Sequence, residues 1–104
     1  MLYRNYRAPR GGEIDIVCRD KSCDTLVFVE VKTRRSLEYG RPADAVNLEK
    51  QKLIARGAMA WLRLLGMPQI VFRFDIVEVV VSAEGQPTCE LIRNAFQLPE
   101  PYVY

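Results

Sequence analysis

The fold of this 104-residue chain can be predicted from one stretch, Gly12-Glu-Ile-Asp-Ile-Val-Cys-Arg-Asp-Lys-Ser-Cys-Asp-Thr-Leu-Val-Phe-Val-Glu-Val-Lys32. Its two ends, Gly12–Arg19 and Thr25–Thr33, are rich in the β-branched and aromatic residues that strands favour. The polar residues between them, Asp20 to Asp24, have the composition of a hairpin loop. We therefore predict an antiparallel hairpin at this position.

The predicted hairpin carries an unusual number of charges. Residues two apart in a strand share a face, so Glu30 and Lys32 are expected to point the same way. The same rule puts Glu13 and Asp15 on one face of the first strand. Unpaired charge inside an apolar sheet costs free energy, which makes a divalent metal the expected use of these carboxylates. The alternative for Glu30 and Lys32 is a surface ion pair, worth at most ~1 kcal/mol.

The rest of the chain adds one helix and three further strands. Asn47 is a suitable N-cap for a helix that runs to about Leu65, with apolar residues at three- and four-residue spacing. The other predicted elements are an edge strand over Leu2–Ala8, a helical turn over Pro42–Val46, a central strand over Gln69–Ser82, a return strand over Thr88–Ile92 and an irregular surface tail over Asn94–Tyr104.

This order of elements predicts an α/β fold. A helix that connects two strands of one sheet makes those strands parallel, whereas hairpins are antiparallel. We therefore expect residues 1–104 to form a single domain with a mixed sheet and a crossover helix. One helix covers only one face of such a sheet. The other face is then covered by the tail, by a second subunit or by a segment outside this sequence.

Composition excludes several classes of function. The chain has no histidine, so catalytic triads and histidine-ligated zinc are excluded. Its three cysteines are expected to be reduced, and the apolar runs are too short to span a membrane, so we expect a cytoplasmic protein. Residues 1–56 hold 12 basic and 8 acidic residues, against 3 and 5 in residues 57–104. This asymmetry favours a polyanionic partner, and the alternative is a solvated basic surface.

Candidate phosphate contacts lie around the hairpin. Arg10, Arg34, Arg35 and Arg41 lie in the segments that bracket it, where they can contact nucleic-acid phosphates. Lys50, in the first turn of the helix, is either a further phosphate contact or a solvated side chain. Asp75 and Arg73 are expected to form a structural ion pair, and we place Trp61 in the core.

A Gly-Glu-Ile-Asp motif that ends at Asp15 is followed, after fourteen residues, by Glu30-Val-Lys32. This pattern resembles the signature of the PD-(D/E)XK nucleases. A wider set of matches resembles the bacterial YraN-like family, predicted endonucleases related to Holliday-junction resolvases. These matches are Asn5-Tyr6-Arg7, Gly12–Asp15, Phe28–Arg34, Tyr39-Gly40, Lys50 and Arg73-Phe74-Asp75. The resemblance covers nearly the whole chain and implies a restriction-endonuclease-like core.

The resemblance also implies roles for individual residues. Asp15, Glu30 and the main-chain carbonyl of Val31 would hold Mg²⁺ or Mn²⁺, and Lys32 would position or deprotonate the attacking water. Oxygen ligands suit these ions, which keep positions open for water and phosphate. The implied activity is metal-dependent hydrolysis of DNA, with branched DNA as a candidate substrate.

This sequence departs from the resembled family in one respect, since it lacks the helix with a glutamate that usually precedes the Asn-Tyr-Arg strand. The alternative function is therefore a nuclease-like fold that binds nucleic acid or a protein without cutting. The uncovered sheet face also predicts a two-fold homodimer, because large exposed apolar patches usually mark interfaces.

Overall fold

A computed structural model describes residues 1–35, 46–81 and 85–104. In this part of the chain the elements are β1 (Tyr3–Arg7), β2 (Glu13–Asp20), β3 (Thr25–Arg35), α1 (Leu48–Leu64), β4 (Phe72–Val81) and β5 (Thr88–Phe96). The strands form one sheet in the order β1-β2-β3-β4-β5. Strands β3 and β4 are parallel, and the other neighbours are antiparallel. The predicted α/β fold with a mixed sheet and a crossover helix is therefore confirmed, and it is compatible with a restriction-endonuclease-like core.

One prediction about the C-terminal region is wrong. Asn94–Phe96 belongs to β5 and not to an irregular tail. The strand continues because a register shift on β4 between Phe74 and Ile76 brings Phe96 opposite Phe74, where the two rings stack at 4.8 Å. The proposed helical turn over Pro42–Val46 lies outside the described residues except for Val46, which is buried in the core.

Helix α1 begins where its capping residue predicts. The Asn47 side chain accepts a hydrogen bond from the backbone N–H of Lys50 at 2.9 Å, as an N-cap does. The helix buries Ile54, Ala58 and Leu62, which are spaced four residues apart, in the core of the sheet. No helix among the described residues is long and apolar enough to cross a membrane.

Two glycines let the helix approach the sheet closely. A Cβ atom added to Gly12, whose φ is +103°, would lie 2.5 Å from the backbone nitrogen of Gly57 in α1. A Cβ added to Gly57 would lie 2.9 Å from the backbone nitrogen of Glu13. The start of β2 and the middle of α1 are therefore in contact backbone to backbone. This contact sets the distance between the helix and the carboxylates of β2.

The structural roles predicted for Arg73, Asp75 and Trp61 are confirmed. Arg73 Nε lies 3.0 Å from Asp75 Oδ1, and the same guanidinium pairs with Asp20 at 3.1 Å, which ties the β2–β3 turn to β4. The Trp61 ring packs against Tyr3 and Tyr6 at the core. The tail lies on the helix side of the sheet.

Candidate functional site

Asp15 is held against β3 by its own side chain. Backbone pairing of β2 with β3 runs from Asp20 and Thr25 to Ile16 and Val29. Beyond that point the backbone N–H of Val31 donates a hydrogen bond of 2.8 Å to Asp15 Oδ2. The carboxylate of Asp15 is thereby placed beside Glu30, the residue that precedes Val31 in β3.

The alternation expected for β2 does not run unbroken through this segment. Ile14 and Val17 are three residues apart, yet both lie in the core cluster. A strict period of two would send them to opposite faces. Alternation is therefore interrupted within β2, and it does not establish by itself that Glu13 and Asp15 share a face.

Glu30 is a buried acid beside a second carboxylate. The residue is 6% exposed, and its Oε2 atom has no hydrogen-bond partner in the described structure. Burial, and next the negative charge of Asp15, raise the pKa of Glu30 to about 7. Near neutral pH this side chain is poised between its neutral and charged forms. A cation placed beside it would favour the charged form.

Lys50 supplies a cation to this group from α1. Its Nζ lies 2.5 Å from Glu13 Oε1 and 3.4 Å from Glu30 Oε1. The hydrogen bond from Lys50 lowers the pKa of Glu13 below its ordinary value. Burial opposes the charge of Lys50, but the hydrogen bond to Glu13 and the charge of Glu30 outweigh it, so the pKa of Lys50 is raised. Glu13 is therefore not a solvated surface carboxylate, because it forms a half-buried ion pair with Lys50.

Lys32 is not part of this contact network. Its side chain is exposed and forms no ion pair with any residue in the described ranges. It lies two residues beyond Glu30 on β3, opposite Glu78 of β4. The structure thus brings together Asp15, Glu30, Glu13 and Lys50. It leaves Lys32 at the margin of the group.

The sequence-predicted phosphate contacts have different environments. Arg34 is half-buried, and its Nε is ion-paired with the fully buried Glu78. Arg10 is exposed in the turn between β1 and β2. Arg35 is the last residue of β3, and Arg41 lies outside the described residues.

Comparison with known proteins identifies the family. The model of the uncharacterised protein family UPF0102 matches residues 1–79. The chain belongs to the UPF0102 family. A UPF0102 protein of Trichlorobacter lovleyi is 47% identical over 98 residues, which is 94% of this chain and 76% of the relative. A UPF0102 protein of Geobacter sulfurreducens is 50% identical over 98 residues, 94% of this chain and 74% of the relative. A UPF0102 protein of Symbiobacterium thermophilum is 47% identical over 96 residues, 92% of this chain and 79% of the relative.

The resemblance to the YraN-like family is thus confirmed, and the matched UPF0102 region contains the whole candidate site. It extends from β1 into β4 and includes Asp15, Glu30 and Lys50, but it ends before β5. All the features on which the site depends lie inside the matched region. They are the hairpin, the Gly12–Gly57 contact and the first turn of α1.

The donor atoms of this UPF0102 chain fit a hard divalent cation. Asp15 and Glu30 offer carboxylate oxygens, and Glu30 Oε2 is buried without a partner in the described structure. The described residues contain no cluster of three or more histidine, cysteine, aspartate or glutamate side chains around one point. An ion here would therefore draw on two carboxylates, the Val31 carbonyl and water. Mg²⁺ commonly keeps several waters and takes one or two carboxylates, so this set is adequate for it.

Proposed function

We propose that this chain is a Mg²⁺- or Mn²⁺-dependent endonuclease that hydrolyses phosphodiester bonds of DNA. The observation that carries the proposal is the partnerless, buried Oε2 of Glu30 next to the carboxylate of Asp15. Two neighbouring carboxylates with one buried and unsatisfied oxygen raise the free energy of the metal-free fold. A divalent cation would remove that cost.

Each residue has a defined part in the proposal. Asp15, Glu30 and the carbonyl of Val31 hold the ion, and the hydrogen bond from Val31 N–H keeps Asp15 in place. The bound ion would neutralise the scissile phosphate and make its water more acidic. Lys32 lies two residues beyond Glu30 on the same strand and would position the attacking water or deprotonate it. Arg10, Arg35 and Arg41 contribute positive charge for the DNA backbone.

Lys50 takes a role that differs from both alternatives that the sequence left open, a phosphate contact and a solvated side chain. In the metal-free protein its ammonium pairs with Glu13 and lies 3.4 Å from Oε1 of Glu30, so it offsets part of their negative charge. With a metal ion held at Glu30, Lys50 would stay bound to Glu13, which is the shorter of its two contacts. The site would therefore avoid two uncompensated buried charges both with and without the metal ion.

The same contact favours a second candidate function. Because Lys50 contacts both glutamates, part of their negative charge is offset without an ion. A module that binds DNA and does not cut it would show the same geometry. Such a module would bind DNA in a salt-dependent manner and would not bind Mn²⁺ at Asp15 and Glu30.

Titration with Mn²⁺ at pH 7.5 tests the proposal. We expect micromolar binding to the wild type and a loss of at least about tenfold in Asp15→Asn and Glu30→Gln. Asp24→Asn is the matched control, since Asp24 is an exposed carboxylate paired with Arg19 on the hairpin turn. Equal affinity in all four proteins would refute the metal site.

Cleavage assays then separate the two candidate functions. Linear, flapped and four-way DNA are incubated with Mg²⁺ or Mn²⁺ and each variant. The nuclease proposal requires cutting by the wild type and by Asp24→Asn, but not by Asp15→Asn or Glu30→Gln. Binding of DNA without cutting, together with no Mn²⁺ binding, would establish the second function.

A further inference from the structure

A pocket next to the candidate site has an apolar floor and a basic rim. Its volume is about 230 Å³, and it lies between the β1–β2 turn and the outer face of α1. The apolar lining includes Tyr6, Ala8, Pro9, Ala60 and Leu64, and the rim carries Arg10, Arg56 and Arg63. None of the described residues that line it is acidic. Its charge is therefore complementary to an anion with an apolar part.

The charge of the rim is available to a ligand. Arg10 and Arg63 are exposed and form no ion pair with any described residue. Arg56 Nε donates a 3.1 Å hydrogen bond to the hydroxyl of Tyr102, which is neutral and leaves the positive charge uncompensated. Arginine forks match phosphate oxygens, and their planes also stack on aromatic rings.

The pocket continues into the candidate site. A shallow groove lined by Asn47, Glu49, Lys50, Leu53 and Arg56 begins at Lys50 and reaches the pocket, because Arg56 lines both. Lys50 contacts Glu30 at the other end of this groove. A bound strand could follow it past a single acidic residue, Glu49, among the described residues of its lining.

Helix α1 gives the distance from the pocket to Lys50, the cation beside the carboxylates. Along α1, Lys50 and Ala60 are ten residues apart, which is about 15 Å at 1.5 Å per residue. This distance corresponds to about four base steps at 3.4 Å each.

We propose that this pocket binds an unpaired nucleotide of branched or flapped DNA, with the base on the apolar floor and the adjoining phosphates on the three arginines. Unpaired bases bind apolar and aromatic surfaces because their faces are exposed, whereas bases in a duplex are stacked on each other. The inference rests on the proposed function for its substrate class. It adds the recognition of an unpaired base, and it places the cut about four nucleotides from that base.

Binding without metal provides the first test. Fluorescence anisotropy in EDTA compares a labelled blunt duplex with the same duplex bearing a single-stranded flap. We expect the wild type to prefer the flap, and Arg63→Gln to lose about tenfold in affinity for the flap with little change for the blunt duplex. Arg93→Gln removes the same charge from an exposed position on β5 and should leave both affinities unchanged.

A variant without a charge change separates the pocket from general electrostatics. Ala60→Phe should fill the pocket and abolish the flap preference while leaving the salt dependence of binding unchanged. Arg63→Gln should instead lower the salt slope by about 0.7, the value for one contact to a single strand. Circular dichroism confirms that each variant is folded, and the two variants are independent of each other.

The outcomes distinguish this inference from the nuclease proposal. If the wild type binds flap and duplex equally, or if Arg63→Gln weakens both equally, the pocket does not bind an unpaired base, whatever the metal titration shows. If the flap preference holds but Mn²⁺ does not bind at Asp15 and Glu30, the nuclease proposal is refuted and the proposal that the pocket binds an unpaired base is supported. Cutting at a position unrelated to the flap would overturn the predicted distance.

Discussion

Lys50 Nζ lies 3.4 Å from Oε1 of the buried Glu30, and this ion pair joins α1 to β3 across the candidate site. The helix delivers this cation to a carboxylate whose pKa is already raised to about 7 by burial and by Asp15. The metal-free protein therefore holds a cation of its own beside the group that we propose to bind a metal. Competition between the two cations for Glu30 is the central property to test.

Replacing Lys50 with methionine should expose this competition. The shape of the side chain is largely kept and its charge is lost, so Mn²⁺ should bind several-fold more tightly because no lysine competes for Glu30. Without metal the free energy of unfolding should fall by about 1 kcal/mol, because Lys50 is about one-third exposed and its ion pairs are partly screened. Both quantities are measured by Mn²⁺ titration and by urea unfolding in EDTA.

Lys52→Met is the control for Lys50→Met. Lys52 lies in the same helix and forms no ion pair with any residue of the described chain. Its loss removes the same charge from α1, so a general electrostatic effect would appear in both variants. Weaker Mn²⁺ binding in Lys50→Met would show that the lysine supports the metal and does not compete with it.

Glu30→Gln should stabilise the metal-free protein in a pH-dependent manner. Glu30 loses its proton near 4.5 in the unfolded chain but only near 7 in the fold, so folding favours the neutral acid. The stabilisation that the neutral acid provides is complete below pH 4.5 and is lost as the pH rises through 7. Glutamine stays neutral, so its advantage should grow from near zero at low pH to roughly 1–3 kcal/mol above pH 7.

Glu13→Gln should behave in the opposite way in the same urea titrations. The hydrogen bond from Lys50 lowers the pKa of Glu13, so the stability that the charged form contributes is present above its ordinary pKa of 4.5 and falls in more acidic solution. Glutamine removes this contribution, and Glu13→Gln should be less stable than the wild type at neutral pH. A matching pH profile for both glutamine variants would contradict the assigned environments.

Gly57→Ala should destabilise the fold, although alanine favours helices. The added Cβ would lie 2.9 Å from the backbone nitrogen of Glu13, so α1 and β2 must move apart. We expect a loss of about 1–3 kcal/mol in urea unfolding, typical of overpacking. Separation of the two elements should also weaken the Lys50–Glu13 contact and shift the pKa of Glu13 back towards its ordinary value.

Gly66→Ala is the matched control for Gly57→Ala. Gly66 follows the helix with a φ of +82°, and a Cβ there would meet nothing within 4 Å. Its substitution therefore introduces backbone strain without a collision. If Gly57→Ala were as stable as the wild type, the close approach of α1 and β2 would not be what sets the site.

The sheet face opposite α1 should form a two-fold dimer interface. Leu91 of β5 is paired with Val77 of β4 on that face and is 51% exposed, and Val81 at the end of β4 is 44% exposed. The tail does not cover this face, because Tyr104 packs against Phe72 on the helix side. Light scattering at micromolar concentration should give a mass near twice 12.0 kDa.

Leu91→Glu tests that interface directly. A charge on the exposed face should yield a monomer with an unchanged circular dichroism spectrum, because Leu91 is largely solvent-exposed within one chain. Leu64→Glu on α1 is a comparable exposed leucine on the opposite side and should leave the mass unchanged. A wild-type mass near 12.0 kDa would end the dimer proposal.

Local patterns in the sequence were sufficient for most of the fold. The β-branched and aromatic residues of Thr25–Thr33, the turn after Asp20 and the N-cap at Asn47 act over a few residues, so their consequences can be predicted without the tertiary structure. Asn94–Phe96 was mispredicted because its strand depends on a register shift opposite Phe74, which no local pattern encodes.

The candidate site could likewise be predicted from the sequence only in part. The approach of Asp15 to Glu30 could be predicted from the sequence, because a hairpin pairs its own two strands. The pairing of Glu13 with Lys50 could not be predicted in this way, since these residues are 37 positions apart and meet where Gly12 contacts Gly57 in the folded chain. Burial of Glu30, the exposure of Lys32 and the basic pocket also arise from how α1 packs on the sheet, and packing between distant segments is not encoded in the spacing of residues along the chain.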